Sequence, residues 1–168
     1  MSSPGPVKVL DALKGTSFLA IEAAAKVLPQ RDLQERGSTI AVLLDGERTV
    51  VVVAGARERV GATVQPPALL NAPELDRLAS ATARVEVQDT IQVDSLPAIT
   101  TAVDVFRRHN LELQAYRITL MSEGSSRVVA FADKDARPGG RGSTGGRPGF
   151  EVEMSSRDLS VRRSNFVR

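Results

Sequence analysis

Residues 98–133 read AITTAVDVFRRHNLELQAYRITLMSEGSSRVVAFAD, and their two periodicities decide the fold class. In the first part Ile99, Ala102, Val103 and Phe106 recur at spacings of three and four, which sets them along one stripe of a helix and predicts a core-facing surface. Asp94 or Ser95 is placed to cap that helix, and Pro97 falls in its first turn, where a missing N–H costs nothing. In the second part the period changes to two: Tyr116, Ile118 and Leu120 alternate with polar residues, EGS at 123–125 supplies a turn, and RVVAFAD returns as a second strand. The stretch therefore predicts a hairpin packed on a helix.

The same pattern occurs earlier in the chain. Residues 20–55, AIEAAAKVLPQRDLQERGSTIAVLLDGERTVVVVAG, align with the stretch above under a shift of 78 positions without a gap. Ala20/Ala98, Ile21/Ile99, Ala24/Ala102, Val27/Val105, Leu33/Leu111, Ile40/Ile118, Gly46/Gly124, Val50/Val128, Val51/Val129 and Ala54/Ala132 are identical pairs. Either the chain is internally duplicated, or two ordinary helix-plus-hairpin segments happen to have similar length. Thr16 and Ser17 are candidate caps for the first helix. Further strands are expected at VEVQDTIQV (85–93), at FEVEM (150–154) and, through SSRD, at LSVRRSNFV (159–167). VKVLDALKG (7–15) has apolar residues at helical spacing and predicts a short leading helix. NAPELDRLASATA (71–83) predicts a helix capped by Asn71 with Pro73 in its first turn, inserted where the second copy carries a Gly-rich loop. The expected architecture is α+β, with two similar units at 1–94 and 95–168, each a helix against a four-stranded antiparallel meander, packed in one body.

Composition excludes some function classes. The chain has 168 residues and 42% apolar content, enough for a core. Its 22 basic and 20 acidic residues leave a formal net charge of +2, so a pI near 9.4 reflects a small excess of Arg and Lys rather than a nucleic-acid-binding composition. No cysteine is present, which removes disulfides, thiol nucleophiles and thiolate metal sites together. MSSPGPVKVL lacks the basic patch and apolar run of a signal peptide, and no apolar segment is long enough to span a membrane, so a cytoplasmic location is expected.

The second half carries a resemblance. With the helix LPAITTAVDVFRRHN, the strands AYRITLMS and RVVAFADKD, a Gly-rich loop and the pair GFEVEMSSRDLSVRRS, it resembles the cystatin-like and NTF2-like α+β superfamily, in which a curved sheet wraps a helix. More narrowly, a strand ending in "V.F.D", a Gly/Pro loop, then "GFEVE" and a charged turn before "L.V.R" is similar to small bacterial NTF2-fold immunity proteins. The resemblance spans about residues 95–168 and, more faintly, the first half. It implies a scaffold that hosts enzymes, inhibitors and scaffolding modules alike. A tandem of two units departs from the single unit usual in the family.

Few residues announce chemistry. His109, the one histidine, ends a helix in FRRHN and reads as a solvated residue favoured by the helix dipole. Tyr116 is the one tyrosine, and the alternation places no acid beside it, which disfavours the acid–base chemistry of NTF2-like isomerases. DKD at 133–135 reads as a polar turn rather than a metal site. No cofactor motif is present and no cofactor is expected. What remains is RPGGRGSTGGRPG at 137–149, three arginines among glycine and proline between two predicted strands. A connection of that length is functional or disordered, and its composition predicts mobility. Arg137, Arg141 and Arg147 suit carboxylates or phosphates, and Arg162 and Arg163 on the last strand extend the same basic patch. A solvated connector is the competing reading, and RNA binding would want repeated arginine–aromatic units that are lacking. The expected function is a non-enzymatic protein-binding module, an immunity or inhibitor protein neutralising a bacterial toxin domain encoded nearby. The alternatives are an NTF2-like small-ligand enzyme or carrier, and an oligomeric scaffold; the oligomeric state is left open.

Overall fold

Under the same 78-residue shift the helix and hairpin strands recur, and so does a strand in front of each helix that the periodicities above did not predict as a pair. A computed structural model describes residues 6–80, 84–135 and 147–167. Its order is β1 (Lys8–Lys14), α1 (Gly15–Ala24), β2 (Thr39–Asp45), β3 (Arg48–Ala54), β4 (Arg59–Val64), β5 (Pro67–Leu69), α2 (Ala72–Ala79), β6 (Val85–Gln92), α3 (Leu96–Arg107), β7 (Tyr116–Glu123), β8 (Ser126–Asp133), β9 (Gly149–Ser155) and β10 (Val161–Val167). The fold is α+β, with two antiparallel five-stranded sheets.

The chain divides into two compact units, one of residues 16–94 and one assembled from residues 1–15 and 95–168. The first holds the sheet β5-β4-β3-β2-β6 and the second the sheet β1-β7-β8-β9-β10. Residues 1–15 thus belong with the second half of the chain. VKVLDALKG is a strand, not the leading helix its spacing predicts, because β7 offers it a hydrogen-bonding edge from Lys8↔Ser122 to Lys14↔Arg117. Leu13 turns into the core while Val7, Val9 and Leu10 remain exposed. In the same way β6 pairs with β2, from Thr39↔Gln92 to Asp45↔Val85.

A matched hydrogen bond fastens each of these strands. The Ser17 hydroxyl donates to Asp89 at 2.5 Å in the first unit, and the Ser95 hydroxyl donates to Asp11 at 2.5 Å in the second. Ser17/Ser95 and Asp11/Asp89 are related by the same 78-residue shift. The two serines are buried, so their hydroxyls need these partners. Neither caps its helix as expected: Ser17 lies inside α1, and Ser95 stands at the N-cap of α3 without a side-chain cap bond.

Phe18, Ile21 and Ala24 on α1 are buried, as are Ile99, Ala102, Val103 and Phe106 on α3, which packs on β7, β8 and β9. The hairpins β2–β3 and β7–β8 turn through two residues each, led by Gly46 and Gly124 at φ 66 and 59, a conformation that suits glycine. Between α3 and its sheet, Phe106 stacks on Phe131 with ring centroids 4.3 Å apart and meets Tyr116 edge-on at 5.0 Å.

The units differ at two separate places rather than at one equivalent place, a correction to the sequence reading. In the first, α2 lies between β5 and β6; in the second, the Gly-rich connection runs between β8 and β9, from residue 134 to 148, where the counterpart between β3 and β4 runs only from 55 to 58. The strands β4 and β5 escaped the sequence reading because Gly61 and Pro66–Pro67 interrupt their pattern. Gly61 has a packing reason: a Cβ there would lie 2.8 Å from Leu75 of α2. Asn71 caps α2 by accepting from the Glu74 N–H at 3.0 Å, and Pro73 lies in its first turn. α2 has no buried residue, and besides Leu75 over Gly61 an ion cluster ties it to the β2–β3 hairpin. Arg77 and Arg48 bond Asp45 at 2.6 and 2.9 Å, and Arg48 approaches Glu74 at 3.7 Å. The Arg77 hydrogen bond, and after it that of Arg48, holds the Asp45 carboxyl down at about 2. Among the described residues no helix is long and apolar enough to cross a membrane.

Two outcomes are expected. Phe106→Ala, at a site with 0% exposure, lowers unfolding free energy by about 3–5 kcal/mol in urea titrations; a loss below about 1 kcal/mol would contradict the packing described. For Asp45 the folded-state value is depressed from 3.8 to about 2, so its contribution is complete above 3.8 and fades as pH falls through about 2. Asp45→Asn therefore flattens the decline of the urea midpoint between pH 4 and 2 relative to the parent chain, and parallel declines would show that the ion cluster adds nothing to stability.

Candidate functional site

Two strand ends build the base of the Gly/Arg segment. The two-residue turn after Glu123 sets the register of β7 and β8, pairing Glu123 with Ser126 and, at the far end, Tyr116 with Asp133. Beyond Asp133 the chain leaves β8, and at Arg147 it returns towards β9. The Asp133 carboxylate joins the two ends: it accepts the Asp135 N–H at 3.0 Å and the Arg147 N–H at 3.1 Å, and the Arg147 guanidinium lies 3.6 Å away. The two backbone donors, Asp135 first, lower the Asp133 pKa below the usual carboxylate value, with a smaller contribution from the Arg147 charge.

Buried Tyr116 reinforces the returning end, its phenol donating to the Pro148 carbonyl at 3.0 Å. Burial, and after it the Asp133 charge, pushes the phenol pKa up, which keeps the proton on the donor. On the outgoing side Arg117 donates to the Lys134 carbonyl at 2.8 Å, while the Lys134 N–H donates to the Ala115 carbonyl at 3.0 Å. An acid does stand opposite Tyr116, contrary to the sequence reading. Continuing the alternation outward from the Gly124 turn would have found it, since that turn fixes the register. Each of the two side chains is hydrogen-bonded at the neck of the segment.

Of the arginines expected to form one patch, Arg147, Arg162 and Arg163 fall among the described residues. Arg137 and Arg141 lie outside the described residues. Arg147 is at the neck. Arg163 pairs with Glu153 at 2.8 Å, and Arg162 donates to Ser126 at 2.8 Å. Val167 is the β10 partner of Gly149, so Arg163 sits four residues, about 13 Å, farther along the strand. Arg147 is therefore not joined to Arg162 and Arg163 in a single described cluster.

An aromatic cluster closes the same end of the unit. His109 is exposed, as expected, but not simply solvated: its ring lies 4.7 Å from Phe150 and 5.1 Å from Phe166, with those two phenyl rings 5.2 Å apart. Phe150 follows Gly149 at the returning end of the neck. Among the described residues no group of three or more His, Cys, Asp or Glu side chains is arranged to hold a metal ion. No family model matches the chain, and no curated protein or solved structure matches it either.

The neck and the segment are expected to respond differently to change. Replacing 138–146 with a short Gly-Ser linker leaves the melting temperature nearly unchanged, whereas Asp133→Asn speeds amide exchange at Asp135 and Arg147. A large fall in melting temperature for the linker variant, or unaltered exchange in Asp133→Asn, would contradict the division of roles.

Proposed function

We propose that the chain is a non-catalytic binding protein, a tandem of cystatin-like/NTF2-like units that acts as an immunity-type inhibitor of a toxin domain. The observation that carries this reading is the neck at Asp133. A connector of no consequence needs no such base, whereas binding segments are commonly set on a rigid scaffold that fixes where they emerge. The carboxylate bridging both ends does that for a segment bearing Arg137, Arg141 and Arg147.

The order strand, helix, four strands occurs twice, as β1-α1-β2-β3-β4-β5 and β6-α3-β7-β8-β9-β10, and supports both the tandem and the superfamily. The matched Ser–Asp bonds support a duplication over chance similarity. The competing reading as a ligand-holding cone receives less support, since stacked Phe106 and Phe131 with Tyr116 and Phe150 fill the space beneath α3. A protein inhibitor needs only a preformed surface: stable interfaces bury about 800 Å² per partner and draw specificity from complementary charge.

The test is to mix the protein with the product of its neighbouring gene. The expected outcome is a complex with a Kd of about 1 nM or lower that blocks the neighbour's activity. Changing Arg137, Arg141 and Arg147 to Glu slows association, with the larger effect at low salt. A neighbour that is a metabolic enzyme, or growth protection that persists when the complex is abolished, would overturn the proposal.

A further inference from the structure

Among the described residues β10 ends its sheet and pairs only with β9, and its outer main-chain N–H and C=O groups have no described strand beside them. Six of its seven residues are exposed and the seventh is half-buried. The register shows why this edge is apolar on one face. Phe166 stands opposite Phe150, Ser164 opposite Val152 and Val161 opposite Met154. The β9 members of those pairs are buried, whereas Phe166 and Val161 remain 45% and 44% exposed. α3 packs mainly on β7, β8 and β9, so the core face of the sheet continues one strand beyond the helix that covers it. His109, at the end of α3, flanks the exposed Phe166 ring.

Charge selects what can lie there. From Leu159 to Val167 the chain carries Arg162 and Arg163 and no acid. Arg163 is partly neutralised by Glu153, but the described polar partner of Arg162 is the neutral Ser126 hydroxyl, itself bonded to Glu153 at 3.0 Å. Arg108 is exposed at the end of α3. A bulge between Val161 and Arg163 adds a second barrier to indiscriminate pairing. Two copies of β10 paired antiparallel about Arg162 and Arg163 would set those arginines opposite one another, and like charges across a strand pair disfavour that register. A strand with acidic residues meets no such penalty.

We propose that β10 is a docking edge that receives an extended, acidic segment of a partner protein, which adds a strand beside Val161–Val167 and sets an apolar side chain against Phe166 and Val161. Main-chain pairing supplies affinity and the alternate side chains supply choice. The inference rests on the binding reading above and names the surface and partner chemistry for it.

The test uses the full chain and a blocked nine-residue peptide of alternating valine and glutamate, with a valine–lysine peptide as its counterpart. With the glutamate peptide, amide exchange over 161–167 slows about ten-fold while β1, the opposite edge of the same sheet, keeps its rate; the lysine peptide changes neither. Arg162→Gln with Arg163→Gln weakens binding of the glutamate peptide about ten-fold, and Val161→Thr, the mildest change to the apolar strip, weakens it several-fold, with melting curves confirming that each variant is folded. Equal protection of β1, equal binding of the lysine peptide, or protection of 161–167 that grows with protein concentration alone would overturn the proposal, the last by identifying a second copy as the occupant. A natural partner that forms the inhibitory complex but leaves exchange over 161–167 unchanged refutes the edge and not the binding reading, whereas a chain that binds the peptide but no natural partner refutes only the latter.

Discussion

Each sheet is completed by an edge strand that is distant in the chain from the strand it pairs with, and a buried serine bonds to it. In the second unit β1 pairs with β7 across more than 100 residues of sequence, and Ser95 bonds Asp11; in the first, β6 pairs with β2 and Ser17 bonds Asp89. Without β1 the edge of β7 would be open, and Ser95 would lose the acceptor that its burial requires. The chain passes between the units at Gly15/Thr16 and again at Asp94/Ser95, so the second unit is completed only when β1 joins the strands that follow residue 95. Such non-local pairing is entropically costly to reach and is associated with slow folding. Gly15, at one passage point, has no space for a side chain: a Cβ would lie 1.9 Å from the Leu113 carbonyl oxygen.

Each unit carries one further feature on that order of elements. In the first it is α2, held by Leu75 over Gly61 and by the cluster of Asp45, Arg48, Glu74 and Arg77. In the second it is the long connection after β8, whose ends meet on the Asp133 carboxylate. In both cases an aspartate at a strand end is the acceptor, because a strand end leaves a carboxylate that can be aimed at donors beyond the ladder. The two acids differ in what they hold. Asp45 binds guanidinium groups and Asp133 chiefly backbone N–H groups, and both arrangements favour the ionised form.

The second unit concentrates features suited to recognition around one end. The neck, the aromatic trio of His109, Phe150 and Phe166, and the last residues of β10 lie together there because Gly149, Phe150, Phe166 and Val167 are register partners. Arg162 and Arg163 lie farther along β10, nearer the turn that joins it to β9. The Gly/Arg segment and the open side of β10 thus adjoin the same strand pair. Aromatic and arginine side chains are the residues most often energetically dominant at protein interfaces.

Local pattern was enough for the elements whose signals are themselves local. The stripe on α3, the glycine-led turns at Gly46 and Gly124, the Asn71 cap of α2 and the strands β9 and β10 all follow from residues within one or two turns of each other, and they were legible. The 78-residue correspondence was legible too, though only over helix and hairpin. Pairing partners were not: nothing in KVLDALK distinguishes a short amphipathic helix from an edge strand, and the open edge of β7, more than 100 residues away, supplies the hydrogen bonds that decide it. β4 and β5 were hidden by Gly61, which packing against Leu75 of α2 explains, and by Pro66 and Pro67. At the site, the arginine content of 137–149 was plain from composition, whereas the role of Asp133 arose from register. Its carboxylate matters because the β7–β8 ladder puts it beside Tyr116 and between two chain ends, and a hydrogen bond depends on where groups finish in space rather than on their order in the chain.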